Sequence, residues 1–74
     1  MSISDNPGAR TLARGLKYPY DGREPADAAH KAALGVIAEL KGRSGLDALL
    51  DDLDEELRCE IVDNLADIIR LAHN

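Results

Sequence analysis

Residues 53–72 read LDEELRCEIVDNLADIIRLA, and the spacing of their apolar side chains decides the fold class. Apolar residues recur every three or four positions, which is the period of an α-helix with one apolar face. The stripe consists of Leu57, Ile61, Leu65, Ile68 and Ala72, flanked by Val62 and Ile69 on one side and Leu71 on the other. Asp52 or Asp54 can cap this helix, and the acids that follow suit the positive end of the helix dipole.

The preceding stretch, PADAAHKAALGVIAELKG at residues 25–42, predicts a second long helix. Pro25 suits the first turn, and Gly42 is a typical stop. Asp27 and Lys31 are one turn apart in the order that favours an ion pair, and Gly35 can mark a close packing contact. The apolar stripe of this helix consists of Ala26, Ala29, Ala33, Val36, Ile37 and Leu40.

Between the two long helices, Ser44 and Asp47 have the spacing of a capping box, which predicts a short helix over residues 45–51. Because the connection is short, we expect the long helices to pack antiparallel through their stripes. The short helix and the one that follows it could also form a single bent helix.

Residues 1–24 contain two of the three prolines and no sustained helical period, so they predict an irregular arm. Leu16, Tyr18 and Tyr20 alternate, which favours an extended piece laid on the helices. The predicted fold is therefore all-α: a small helical bundle of two long helices and one short helix over residues 25–74, preceded by the arm.

The charge of the chain excludes some classes of function. The formal net charge is −5, with +1 on residues 1–24 and −6 on residues 25–74. Direct nucleic-acid binding is not expected, because phosphate contacts need clustered Lys and Arg. No apolar run approaches the ~20 residues that a membrane span needs. The single Cys59 suits a reducing cytoplasm, so we expect a cytoplasmic protein.

Few residues could carry chemistry. Cys59 is placed away from the apolar stripe of its helix, among acidic neighbours that disfavour the reactive thiolate. A partly buried structural thiol, near a partner chain or not, is the better interpretation. His30 is expected to be a packed histidine, and His73 lies near the end of the chain. We therefore expect no enzyme activity, no cofactor and no metal site.

Acidic residues dominate the second half of the chain, with nine between positions 47 and 67. Four of them share one side of the last helix at intervals of four, three and four residues: Glu56, Glu60, Asp63 and Asp67. We call these four residues the acidic row. The row is either a solvated face opposite the core stripe or a docking surface for a basic partner, steered electrostatically or mimicking nucleic acid.

Residues 33–72 resemble small acidic helical proteins encoded by bacteriophages and prophages. The similar pieces are GRSG at residues 42–45 and LDEELRCEIV at residues 53–62. The resemblance implies a phage or mobile-element origin and a bacterial host. Short acidic proteins of that origin often bind and block a host protein, and anti-CRISPR proteins are one such class. The resemblance implies no functional residues.

Two hypotheses about function follow. The first is a non-enzymatic interaction protein of phage type that binds a protein partner, basic or nucleic-acid-handling, through the acidic row. The second is a structural protein that self-associates as a homodimer, with the acidic face serving only solubility. Leu34, Ala38, Ile69 and Leu71 motivate the second hypothesis because they widen the apolar faces.

Overall fold

The computed structural model describes residues 6–73 and contains four helices and no strand within that range. The helices are α1 (Pro7–Lys17), α2 (Ala28–Lys41), α3 (Leu46–Asp51) and α4 (Glu55–His73). The all-α prediction is confirmed, and a fourth helix, α1, lies in the segment that was predicted to be an irregular arm. Residues 1–5 of the predicted arm and residue 74 of the predicted helical domain lie outside the described residues.

The prediction of an irregular arm over residues 1–24 is wrong for α1. Asn6 caps this helix by accepting a hydrogen bond from the Gly8 amide at 2.8 Å, and Pro7 occupies its first turn. The NPG sequence is therefore a helix start rather than a turn. Leu16 belongs to this helix and Tyr18 is 67% exposed, so the predicted extended piece does not form there.

Glycine allows α1 and α2 to pack closely. A Cβ atom at Gly15 would lie 2.7 Å from the backbone oxygen of Leu34, and one at Gly35 would lie 3.0 Å from Leu12 Cδ1. The two glycines therefore let the helices approach to a distance at which a larger residue at either position would push them apart. The expectation that Gly35 marks a close contact is confirmed, and α1 is part of the helical domain.

The boundaries of α2 follow from its caps. Asp27 accepts a hydrogen bond from the His30 amide at 2.8 Å, so the helix begins at Ala28, three residues after Pro25. It ends at Lys41, directly before the predicted stop. The predicted pairing of Asp27 with Lys31 is replaced by a pairing with Arg70, at 2.9 Å.

The connection to α4 differs in detail from its prediction. Ser44 does not cap α3; Gly45 occupies the cap position with φ 90°, and no side chain caps the helix there. The helices α3 and α4 are separate, and Asp54 accepts a hydrogen bond from the Leu57 amide at 2.8 Å. Of the two candidate caps, Asp54 is therefore the one used.

The helix α2 lies between α1 and α4, and the core forms where α2 meets α4. Arg70, near the end of α4, binds Asp27 at the start of α2, so these two helices run antiparallel. The fully buried large side chains are Leu34, Ile37 and Val62. Tyr20 joins this core from the α1–α2 connection, and its hydroxyl donates to the Leu50 carbonyl at 2.8 Å.

The face that α4 turns to the core differs from the predicted stripe. Val62 and Ala66 are 0% and 1% exposed, whereas Ile68 is 61% exposed and Leu57 is 39% exposed. At 100° per residue, Val62 lies about 140° around α4 from Leu57. The buried face of α4 is therefore centred on Val62, a residue predicted to lie at the flank of the stripe. On α2, Ala29, Ala33 and Ile37 are buried as expected, but Val36 and Leu40 are exposed.

Candidate functional site

The most elaborate polar cluster joins the α1–α2 connection to both α2 and α4. Asp21 is buried in the connection, and His30 is buried in the first turn of α2. Nη2 of Arg23 lies 2.7 Å from Asp21 Oδ2 and also 2.7 Å from Asp63 Oδ1 of α4. The cluster therefore ties the connection and the adjoining first turn of α2 to α4, which is 40 positions further along the chain.

The hydrogen bonds of His30 define its tautomer. Nδ1 accepts from the Ala26 amide at 3.1 Å, so this nitrogen carries no proton. The proton of the neutral ring is therefore on Nε2, which donates to Asp21 Oδ2 at 3.0 Å. Both ring nitrogens are engaged, and neither is free to take a proton from a nucleophile. This geometry fits the predicted packed histidine.

The charge of Asp21 is maintained inside the fold. Burial disfavours the carboxylate, but hydrogen bonds from the Arg23 amide and guanidinium and from His30 outweigh it and hold the pKa of Asp21 below its ordinary value. The pKa of Arg23 is raised, first by its hydrogen bond to Asp63 and then by that to Asp21. Asp21 is thus an ionised aspartate whose carboxylate accepts hydrogen bonds from protein groups in place of water.

Cys59 lies beside this cluster, about 60° around α4 from the buried Val62 and outside the hydrophobic core. Its Sγ atom is 3.9 Å from the carbonyl oxygen of Asp21, and the residue is partly buried. The prediction of a partly buried thiol is confirmed, and the thiol meets a carbonyl oxygen rather than a base.

All four residues of the acidic row are exposed, and they divide into two halves. Asp63 binds Arg23, and Asp67 binds Arg70 at 2.6 Å, so the C-terminal half carries its own counter-charges. Glu56 and Glu60 form no ion pair among residues 6–73. The free negative charge of the row is therefore concentrated in the first turns of α4.

The ion pair between Asp27 and Arg70 closes the other end of the α2–α4 contact. Arg70 binds Asp27 of the α2 cap, and this hydrogen bond is the main cause that lowers the pKa of Asp27 and raises that of Arg70. His73 lines a groove of about 460 Å³ beside them. Its position in that groove was not predicted.

Within residues 6–73, no three His, Cys, Asp or Glu side chains are grouped as metal ligation requires. None of the helices in this range combines the length and apolar character of a membrane span.

The bond between Asp21 and His30 was not predicted. The two residues are nine positions apart, and the chain turns between them at Gly22, where φ is 74°. The one available signal was Asp21 in a Tyr-Asp-Gly turn ahead of a lone histidine on an apolar helix.

No protein family, curated protein or solved structure matches this chain. The chemistry of the described residues is therefore the basis for a proposal about function.

Proposed function

We propose that this chain is a non-enzymatic interaction protein that binds a basic protein partner through the acidic row. The observation that carries the proposal is the exposure of all four carboxylates on one side of α4, with Glu56 and Glu60 unpaired among residues 6–73. Such a surface attracts a partner rich in Lys and Arg, accelerates encounter and selects orientation.

The two halves of the row have different roles in this proposal. Glu56 and Glu60 offer free carboxylates for charge-assisted hydrogen bonds with a partner's Arg or Lys. Arg23 and Arg70 hold Asp63 and Asp67 in fixed positions, so these carboxylates lose less side-chain entropy on binding. We expect the free half to contribute most of the affinity and the held half to set the orientation.

The partner class follows from the spacing of the row. Residues four apart on a helix are ~6 Å apart along its axis, which is comparable with the separation of phosphates along a nucleic-acid strand. A nucleic-acid-handling host protein is therefore the proposed partner. The proposed role is to block that protein, as anti-CRISPR proteins do, and it rests on the resemblance of residues 33–72 to small acidic phage proteins. The proposed compartment is the bacterial cytoplasm, where a free thiol stays reduced.

The geometry of the candidate catalytic residues supports a non-enzymatic role. Cys59 faces the carbonyl oxygen of Asp21, and both ring nitrogens of His30 are engaged. Nucleophilic catalysis needs a nucleophile beside a base that can accept its proton, and these residues do not make that arrangement.

The test is affinity capture from a bacterial host lysate at low salt with matched charge variants. The row variant is Glu56→Lys with Glu60→Lys, and the control is Glu24→Lys with Asp52→Lys, which changes the same number of exposed charges elsewhere. We expect the row variant to lose a protein that wild type and control retain. Retention of every captured protein by the row variant would contradict the proposal.

Self-association is the second candidate function, with the acidic row serving only solubility. The observation that favours it is the exposure of Val36, Leu40 and Ile68 on the two helices that form the core. Those side chains belong to the stripes that the sequence predicts to be buried.

A further inference from the structure

The helix α1 carries three basic side chains on one side and contains no acidic residue. Arg10, Arg14 and Lys17 follow one another at intervals of four and three residues, and all three are exposed. At 100° per residue they fall within about 60° of one another, and at 1.5 Å per residue they span roughly 10 Å of the helix. We call these three residues the basic row. They share one side only because residues 7–17 are helical.

The positive charge of the basic row is not neutralised within the described chain. Arg10 and Lys17 form no ion pair among residues 6–73. Arg14 donates from Nη2 to the carbonyl oxygen of Ala38 on α2, which is a neutral acceptor. Three positive charges therefore stand together on one side of α1.

A groove of about 320 Å³ lies beside the basic row, where α1 meets the end of α2. Arg14 and Tyr18 line it together with Ala38, Lys41 and Gly42. Gly42 lets the guanidinium lie close to the backbone, because a Cβ atom there would be 3.1 Å from Nη2 of Arg14. The guanidinium is held at the groove by one of its nitrogens, and its other N–H donors remain for a ligand.

Tyr18 adds an aromatic surface to the same groove. It is 67% exposed and is not part of the hydrophobic core. Nζ of Lys17 lies 5.4 Å from the centroid of its ring, so the basic row and the ring are adjacent. Proteins that bind single-stranded nucleic acid without sequence preference combine these two parts: basic side chains follow the phosphates, and aromatic rings stack with the bases.

The net charge of −5 does not describe this surface, because α1 and α4 pack on nearly opposite sides of α2. Gly35, which meets α1, and Ala33, in the core, point about 160° apart around α2. Two helix-packing distances, roughly 16–20 Å, therefore separate α1 from α4. That separation is about twice the Debye length at physiological ionic strength, so salt screens the acidic row from a ligand on α1.

Two acidic side chains closer to this surface are themselves paired. Glu39 accepts a hydrogen bond from Thr11 of α1 and forms an ion pair with Arg43. Asp51 of α3 forms an ion pair with Lys41, which lines the groove. Their negative charge is therefore offset by their own partners rather than by the basic row.

We propose that the basic row and Tyr18 bind a single strand of nucleic acid, with phosphates on the three basic side chains and a base on the ring. At ~3.4 Å per nucleotide along a strand, about three phosphates lie alongside the row. An acidic protein segment would satisfy the charges but makes no use of the exposed ring, so a strand fits the surface better. For this surface, the proposal replaces the expectation from net charge that nucleic acid is not bound.

This surface is separate from the acidic row, so the proposal goes beyond the proposed function and can fail without affecting it. Fluorescence anisotropy of the full chain with labelled oligo(dT) and oligo(U) tests it at low salt. Probes of about 12 nucleotides fall in the ~4–16-nucleotide range of such sites. Wild type is expected to bind both, because neither phosphate contacts nor stacking on a ring reads the 2′-hydroxyl. Absence of saturable binding to either probe would overturn the proposal.

The salt dependence counts the phosphate contacts. Each contact with a single strand contributes ~0.7 to the slope of log K against log salt, so three contacts give a slope of about −2. Arg10→Gln and Lys17→Gln, tested singly, each remove one contact and are expected to reduce the slope to about −1.4. Both side chains are exposed, so each variant is expected to keep its helical circular dichroism.

Lys31→Gln is the matched control. Lys31 is exposed, forms no ion pair among residues 6–73, and lies seven residues before Ala38, or roughly 10 Å along α2 from the carbonyl that Arg14 contacts. This variant is expected to keep the affinity and the slope of wild type. An equal loss in Lys31→Gln and Arg10→Gln would overturn the basic row as the binding surface.

Tyr18→Ala separates a nucleic-acid strand from other polyanions. Loss of the stacked base is expected to weaken binding roughly tenfold, whereas Tyr18→Phe keeps the ring and is expected to bind like wild type. Unchanged affinity in Tyr18→Ala would overturn the assignment to a strand. Displacement of the probe by a polyglutamate peptide at an equal concentration of charge would also overturn it and would assign the surface to an acidic protein segment.

Discussion

His30 donates a hydrogen bond from Nε2 to Oδ2 of Asp21 over 3.0 Å, and both side chains are almost fully withdrawn from solvent. The bond fixes the α1–α2 connection on the first turn of α2. Arg23 extends the cluster to Asp63 of α4. Asp63 is a member of the acidic row, so the cluster joins that row to the α1–α2 connection.

The first prediction concerns stability in acid. The pKa of Asp21 is lower in the folded chain than in the unfolded chain, so the unfolded state binds its proton more readily. The stability that Asp21 contributes is complete above about pH 4, the ordinary aspartate pKa, and is lost as the pH falls through the folded pKa. Urea unfolding between pH 2.5 and 6 should therefore show a decline in the free energy of unfolding below about pH 4.

Asp21→Asn keeps the shape of the side chain and removes its titration. We expect this variant to show a shallower decline in acid than wild type, with a residual slope from other carboxylates such as Asp27, whose pKa is also lowered. Equal slopes for wild type and Asp21→Asn would show that the Asp21 cluster does not contribute in this way.

The second prediction tests the docking of α1. Gly15→Ala would bring a Cβ atom to 2.7 Å from the Leu34 oxygen, and backbone cannot yield there without separating the helices. We expect a loss of about 1–3 kcal/mol in the free energy of unfolding. In an undocked helix the same change would stabilise by roughly 0.5–1 kcal/mol. A loss of stability therefore indicates that α1 is docked on α2, and a gain would contradict this docking.

Gly35→Ala is the comparison for this prediction. Its Cβ atom would meet the flexible end of Leu12 at 3.0 Å, so the side chain can move aside and the gain in helix propensity offsets part of the cost. Denaturant unfolding is expected to show a smaller effect than for Gly15→Ala.

The third prediction tests the start of α4. Asp54→Ala removes the side chain that accepts a hydrogen bond from the Leu57 amide, which is expected to cost about 1 kcal/mol of stability. Asp52→Ala is the control, because Asp52 is exposed and lies at the end of α3. Thermal unfolding should leave the control within about 0.5 kcal/mol of wild type, and an equal loss in both variants would argue against Asp54 as the cap.

The helix ends that depend on a local capping or stop residue could be predicted from the sequence. Gly42 stops α2 and Asp54 starts α4, and both act locally. The helix α1 was missed because residues 1–24 contain two prolines and no sustained helical period. Its Gly15 serves contact with Leu34, a residue 19 positions away. A glycine needed for tertiary packing cannot be told from a helix breaker by local pattern.

Which part of an apolar stripe is buried could not be predicted either. The stripe of α4 with its flanks is wider than the contact with α2, and periodicity does not choose between Leu57 and Val62. The buried side is the one that packs against α2 through Val62 and Ala66, and this contact is between residues far apart in the sequence. The acidic row was predicted as a row on one exposed side. Its Asp63 is held by a long-range contact with Arg23, whereas Asp67 and Arg70 are only three residues apart on α4.

Binding of a basic partner by the acidic row is measured by the dissociation constant of the captured protein. We expect this Kd to rise as salt screens exposed charges. At low salt we expect it to rise roughly tenfold or more in the Glu56→Lys, Glu60→Lys variant and to stay unchanged in the Glu24→Lys, Asp52→Lys control. A Kd that does not change with salt and is equal in the row variant and the control would contradict binding through the row.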